Sequence, residues 1–491
     1  MLCLQLLTLS YRFRWVFCQL DTLRYCFPPN LRQFLDALPE TLDETYERML
    51  RGIKKAQQDN AYRLLQCLAV AVRPLRVEEL AEILAFDFQA SNSGGIPTLR
   101  EDWREDDEEE AVLSTCSSLI AVVPSGDSES RVVQFSHFSV KEYLTSPRLS
   151  RSHGDVSRFY IDLDAAHTIM AQACLGVLLR LDEHADDGSR KGFPLVDYAA
   201  EHWAEHARLD AVAPRVRDGT DDLFDTSKPH FAAWLQVLDL DEYWADFYPS
   251  GLHNDSPLYY AASYGLYDLA ERLISKHPEQ VNAVDGRIVA PLPAALCQRH
   301  FHIANLLHRH GAVVDVRGNE GRTPLYCASI DGLVDIMRWL LNHGADVNAS
   351  RDGGRTPLQI ASVNRRLEAV QLLLDHNAYV NSQDHAGWTP LSRTIYVNHI
   401  HFSSPWDVTV DIVRRLLEHG ADPNAGGHSH SPPLHQVSFI GWLQGAELLH
   451  RYGAKVDVKD QEGKTPSQIA SENGYHEIAK LLSEPVDVPQ V

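Results

Sequence analysis

One tripeptide recurs through the second half of this chain. It reads Ser256-Pro257-Leu258, Ala290-Pro291-Leu292, Thr323-Pro324-Leu325, Thr356-Pro357-Leu358, Thr389-Pro390-Leu391, Pro432-Pro433-Leu434 and Thr465-Pro466-Ser467. Successive prolines stand 34, 33, 33, 33, 43 and 33 residues apart. A unit of this length cannot bury an apolar face alone, so seven units at a fixed period must stack on their neighbours.

The letters of one unit explain its shape. Thr323 caps a helix through its hydroxyl, and Pro324 takes the first helical position, where a missing N–H costs little. Leu325 and Ala328 face inward, and Gly332 ends a short helix in the left-handed conformation. A second helix is predicted over Val334–Asn342, with Ile336, Trp339, Leu340 and Leu341 at helical spacing. Gly344 closes it, and Ala345-Asp346-Val347-Asn348 leads toward the next Thr-Pro.

A 33-residue period with this spelling resembles the ankyrin repeat. The resemblance implies an array that binds proteins and does no chemistry. The last unit replaces the inward leucine with Ser467, which suits a polar end cap. The 43-residue step carries about ten extra residues around 397–409, expected as a loop, with Phe402 and Trp406 either touching a partner or covering the core.

The length of 491 residues allows two to four domains. Of the net charge of −22, residues 1–250 contribute −16 (25 basic, 41 acidic) and residues 251–491 contribute −6 (20 basic, 26 acidic). Neither half offers the positive excess that a phosphate backbone demands. The eight cysteines form no C-x-x-C pair, which fits reduced thiols inside a cell. The apolar start MLCLQLLTLSY lacks a basic lead and is too short to span a bilayer.

The first half reads as a helical segment (13–55), a winged-helix-like domain (56–147) and a helical region with a linker (148–250). Helices are expected in YRLLQCLAVAV and VEELAEILAF, on either side of Pro74. Residues 91–110 read as a loop ending in EDWREDDEEE, a solvated acidic run or a dock for a basic partner. A hairpin follows, 119–123 with 131–135. The stretch 209–229 reads as a linker, and the aromatic run FAAWLQVLDLDEYWADFYPS as a cover for the first repeat. The fold class is thus mostly α: a helical and winged-helix region, then a solenoid of about seven repeats over 256–484.

The segments FRWVFCQLDTLR, LPETLDETYERML, RPLRVEELAEILAFD, FSHFSVKEYL and YAAEHWAEHA resemble the region that follows the nucleotide-binding module of fungal NACHT–ankyrin proteins, relatives of NLR-type signalling ATPases. The resemblance starts near Phe13, downstream of where that family carries its ATPase. G-x-x-x-x-G-K-[ST] does not occur, and Gly463-Lys464-Thr465 belongs to the last repeat. No nucleotide or other cofactor is therefore expected.

Three groups invite a chemical reading. His202, Glu205 and His206 spell H-x-x-E-H, a zinc-peptidase pattern that would put both histidines on one helical face. Tyr198, Ala199 and Trp203 share that helix, so a packing role is expected instead. Ser136-His137 offers a nucleophile and base without an orienting acid. His399 with His401, and His428, His430 and His435, make weak metal candidates. No catalytic or metal residue is assigned.

The expected site is a groove for a protein partner. The resembled fold presents a concave face built from loop tips and first helices. The residue two before each helix-one closure reads Ser263, Cys297, Ile330, Val363, Tyr396, Phe439 and Glu472, apolar in the middle four and polar at the ends. The residues before Thr-Pro, Arg322, Arg355 and Trp388, belong to the same side. The expected ligand is an apolar segment of some acidic character, on a transcription factor or a signalling protein, in the cytoplasm, the nucleus or both. No direct contact with nucleic acid or membrane is expected.

Overall fold

The computed structural model describes residues 41–483 apart from 90–94, 105–106, 117, 126–129, 152–153, 182–191, 239–255, 284–289, 402–406 and 427–431. Two compact units divide the chain, one made almost wholly of residues before 254 and the other of those after it.

The first unit opens with α1 (Leu42–Arg51), where Thr41 and Glu44 form a reciprocal capping box. Then come α2 (Gln58–Val70), β1 (Leu75–Arg76), α3 (Val77–Leu84), β2 (Phe86–Asp87), β3 (Thr98–Leu99), α4 (Glu108–Cys116), β4 (Ile120–Pro124) and β5 (Arg131–Phe135). β1, β5 and β4 form an antiparallel sheet in that order, with Val133 opposite both Leu75 and Val122. Three helices against a short strand and a hairpin make the expected winged helix. Leu64, Leu65, Leu80, Ile83, Val112 and Val133 fill its core.

The acidic run is not all loop. Glu101–Trp103 forms a 3-10 turn, and Glu108, Glu109 and Glu110 make the first turn of α4. Carboxylates suit that end of a helix, whose unpaired N–H groups carry partial positive charge.

The rest of the unit is helical: α5 (Phe138–Leu144), α6 (Pro147–Ser150), α7 (Leu163–Leu178), α8 (Val196–Ala207), α9 (Arg217–Leu223) and α10 (His230–Val237). The expected linker is packed chain, since Val212, Val216, Thr220, Leu223 and Phe224 are buried. The described part of the aromatic run serves this unit's own core. Phe224, Phe231 and Trp234 cluster with Trp203, and Trp234 Nε1 donates to the Ala200 carbonyl at 3.1 Å.

Two buried glutamates on α3 join the winged helix to these helices. Glu79 accepts two bonds from Arg73 (2.7 and 2.9 Å) and two from Arg76. Arg76 reaches on to the Pro194 carbonyl and Asp197. Glu82 accepts from the Leu195 N–H at 2.6 Å and from Arg104 at 2.5 Å. Burial raises the Glu82 pKa, whereas the arginine bonds outweigh burial and lower that of Glu79.

Among the described residues the second unit is seven helix pairs. The first helices are α11 (Pro257–Tyr264), α13 (Pro291–Cys297), α15 (Pro324–Asp331), α17 (Pro357–Val363), α19 (Pro390–His401), α21 (Pro433–Ile440) and α23 (Pro466–Glu472). The second helices are α12 (Tyr267–Lys276), α14 (Phe301–Arg309), α16 (Val334–Asn342), α18 (Leu367–Asp375), α20 (Asp407–Glu418), α22 (Leu443–Arg451) and α24 (His476–Ser483). The Thr323 hydroxyl accepts from the Tyr326 N–H, and Gly332 takes φ +73° with Arg366 of the next unit lying across it. The described part of the extra stretch in the fifth unit differs from the expected loop: it belongs to α19 and α20, each 12 residues long. Phe402 and Trp406 lie outside the described residues.

A ladder of amides ties neighbouring repeats. Asn282, Asn381 and Asn424 each accept the N–H of Val313, Asp422 and Lys455 and donate to the carbonyls of Gly311, Gly420 and Gly453. Asn348 accepts from the Tyr379 N–H at 2.7 Å. Asp315 accepts from the Asp346 N–H at 2.9 Å, and its other oxygen is buried without a partner.

Candidate functional site

The loops before the first helices follow one plan. The residue that opens each loop donates its N–H to the carbonyl four residues on: Gly318 to Arg322, Arg351 to Arg355, Asp384 to Trp388 and Asp460 to Lys464. The fourth residue's N–H returns to the opening carbonyl, as in Gly321 to Gly318 and Gly387 to Asp384. Neighbouring loops are also stitched together, Asp352 N–H to the Glu320 carbonyl (2.7 Å) and His385 N–H to the Gly353 carbonyl (3.0 Å). A rigid edge of loops results, beside the layer of first helices.

The apolar stripe predicted on this side grows more exposed along the array. Ile330 and Val363 are half-buried. Tyr396 is 40% exposed and Phe439 60%. Trp388 departs from its predicted place in the groove lining. It is only 5% exposed, and its ring centroid lies 4.9 Å from that of Tyr396. Its carbonyl accepts from the buried Gln359 amide at 2.7 Å. Trp388 therefore supports Tyr396 from beneath.

The two predicted arginines differ in their engagement. Arg322 donates to Glu320 at 2.7 Å, and Arg351 shares the same carboxylate oxygen. Asp384 is deeply buried; one oxygen accepts the N–H groups of Ala386 and Trp388, both at 3.0 Å, and the other holds Arg393. Arg355 stands 3.9 Å from that occupied oxygen. Burial and then the facing charge of Arg355 lower the Arg393 pKa. Burial raises the Tyr326 pKa against the pull of Arg351, Arg355 and Arg322 around it. Sequence reasoning missed Arg351 and Arg393. The signal was Arg-Asp-Gly-Gly-Arg at 351–355 and an arginine at the fourth residue of α19, neither of which shares the position before Thr-Pro.

The catalytic-looking groups resolve into packing. His206 is buried, with Nδ1 2.8 Å from His167 Nδ1 and Nε2 3.0 Å from the Tyr198 hydroxyl. Both nitrogens that a metal would need are thus in use. Burial, then His167 and His202, lower its pKa to about 3. His202 lies 3.4 Å from Glu201 and 3.5 Å from Glu205. His137 caps α5, its Nδ1 accepting from the Ser139 N–H. His435 is buried, 3.3 Å from the Lys464 carbonyl. His428 and His430 lie outside the described residues, as do the side chains of His399 and His401. Among the described residues no group of three or more His, Cys, Asp or Glu is placed to hold a metal, and no helix is long and apolar enough to cross a membrane.

Comparison with known proteins accords with this architecture. The family model for ankyrin repeats (3 copies) matches residues 258–351, 292–384, 348–425 and 400–490. The model for the GPI inositol-deacylase winged helix domain matches residues 46–157. Azaphilone pigments biosynthesis cluster protein L of Monascus ruber is 31% identical over 302 residues, 58% of this chain and 62% of its own length. Human cyclin-dependent kinase inhibitor 2A is 38% identical over 72 residues, 14% of this chain and 46% of its own length. Thus the chain spans less than two thirds of either relative. Among solved structures, the ankyrin repeat domain of Bcl-3 aligns at 26% identity and TM-score 0.42, covering 47% of this chain and all of that one. The chain thus carries ankyrin repeats over residues 258–490 and, over residues 46–157, a winged helix that matches the GPI inositol-deacylase winged helix domain model.

Proposed function

We propose that the chain is a non-enzymatic regulatory scaffold, cytoplasmic or nuclear, whose array holds a transcription factor and so touches DNA only through it. The ankyrin repeats support a protein-binding role. The observation that carries the site is the exposed pair Tyr396 and Phe439 on the stiff loop-and-helix face. Exposed apolar stripes of this kind mark protein-binding surfaces. Glutamates open α4, the third helix of the winged helix, which disfavours a phosphate backbone there. The name of the Monascus ruber relative, a biosynthesis cluster protein, suits a regulator of a gene cluster. A signalling adaptor is the second reading, favoured by the winged helix and by its buried junction with the following helices.

The test is affinity purification from the native cell, with wild type beside an Ile330→Glu/Tyr396→Glu double variant whose melt shows a folded chain. A transcription factor recovered by wild type and lost by the variant supports the proposal. A signalling receptor in its place selects the second reading. An identical set from both proteins overturns the groove.

A further inference from the structure

Arg355 makes only a long ion pair through its guanidinium, 3.9 Å from Asp384. Its backbone carbonyl closes a loop, yet its side chain makes no hydrogen bond among the described residues. Asp384, the nearest carboxylate, already accepts three bonds from other groups. Arg322 of the preceding loop and Arg351 of the same loop share one oxygen of Glu320, and each keeps a buried Nε without a partner. Four arginines, 322, 351, 355 and 393, therefore face two acids, and both acids are committed.

A planar guanidinium is most strongly matched by a carboxylate that takes two of its N–H groups. Buried donors without partners add a cost that such an acceptor relieves. Tyr396, on the same helix as Arg393 and propped by Trp388, offers an aromatic surface beside the charge.

We propose that this face of repeats three to five binds an acidic segment of a partner protein, pairing a carboxylate with Arg355 beside an apolar side chain seated on Tyr396. The proposal rests on the scaffold reading and names its partner's chemistry. Charge complementarity selects the occupant: an uncharged segment leaves the surplus arginines unmet, and a basic one meets repulsion.

Random short peptides displayed on phage would be selected on the immobilised full chain. The survivors would be titrated by fluorescence anisotropy against wild type, Arg355→Gln, Arg355→Glu and Tyr396→Ala, each checked by a thermal melt. Survivors rich in Asp and Glu beside an apolar residue are expected. Their affinity should fall about tenfold in Arg355→Gln, further in Arg355→Glu, and fall with added salt. Acidic survivors that bind Arg355→Glu as tightly as wild type overturn the proposal. Survivors without acids that still need Tyr396 overturn it too, while leaving the scaffold reading intact. No survivors, or binding indifferent to both positions, overturns both.

Discussion

Asp315, like Asn348, makes only the accepting bond of the ladder, and replacing it with asparagine should stabilise the array. Asn282, Asn381 and Asn424 accept one N–H from the next repeat and donate to a glycine carbonyl there. Asp315 keeps the accepting bond, but its second oxygen has no donor and is buried. By equivalence that oxygen stands where an amide would donate to the Gly344 carbonyl. A buried polar atom left unpaired costs about 1–3 kcal/mol, and a new neutral hydrogen bond contributes about 1 kcal/mol. Part of the first cost is already relieved by solvent near this half-buried side chain. Asp315→Asn should therefore add about 1–2 kcal/mol, or about 2–6 °C in the array's melting temperature. In a solenoid the gain belongs to one interface, so hydrogen exchange at the Asp346 amide should slow more than at Lys455. The converse change, Asn381→Asp, should cost a similar amount. Calorimetry showing Asp315→Asn no more stable than wild type, with Asp346 exchange unchanged, would refute the reasoning.

Two further outcomes concern the first unit. His206 is held neutral, its pKa lowered by burial to about 3, while the unfolded value is about 6.5. The unfolded chain thus binds the extra proton between these values, and stability is lost as pH falls below about 6.5, by up to about 1.4 kcal/mol per pH unit. Burial lowers His167 as well, with the same sign. Urea unfolding at pH 7 and pH 5 should show the loss, and His206→Gln should reduce it; an unchanged pH slope in that variant counts against the assignment. Glu79→Ala should cost about 3 kcal/mol by stranding Arg73 and Arg76, measured by the same titration; a cost below about 1 kcal/mol would mean that solvent already screens the network.

The repeat spelling made the second unit legible because each letter there does a local job. Thr323, Pro324 and Gly332 act within a few residues of themselves, so their roles can be read without knowing what lies opposite. The hairpin over β4 and β5 was legible for the same reason. Contacts made at a distance were not. VEELAEILAF reads as a helix, but its letters do not show that Glu79 and Glu82 are buried, with Arg73, Arg104 and the Leu195 N–H among their partners. Residues 209–229 read as a linker because polar letters surround Val212, Val216 and Leu223, yet all three are buried. Trp388 shares the position of Arg322 and Arg355, but Tyr396 comes to lie over it, which no repeat alignment reveals.

The repeats also supply their own comparison of constrained and unconstrained positions. The ladder position is amide or acid wherever another repeat follows, because each rung serves a backbone N–H of the next unit. The position before Thr-Pro closes its loop through its carbonyl, whatever side chain it carries. It is free to be Arg322, Arg355, Trp388 or Lys464. The stripe position is equally free, running through Ser263, Cys297, Ile330, Val363, Tyr396, Phe439 and Glu472. Loop closure by itself gives no reason for arginines and aromatics to gather on repeats three to six. Exposed aromatic residues carry an aggregation cost that a polar side chain would avoid. Their presence at these positions accords with the proposed ligand, and the same reasoning separates them from His206, whose two ring nitrogens both have partners.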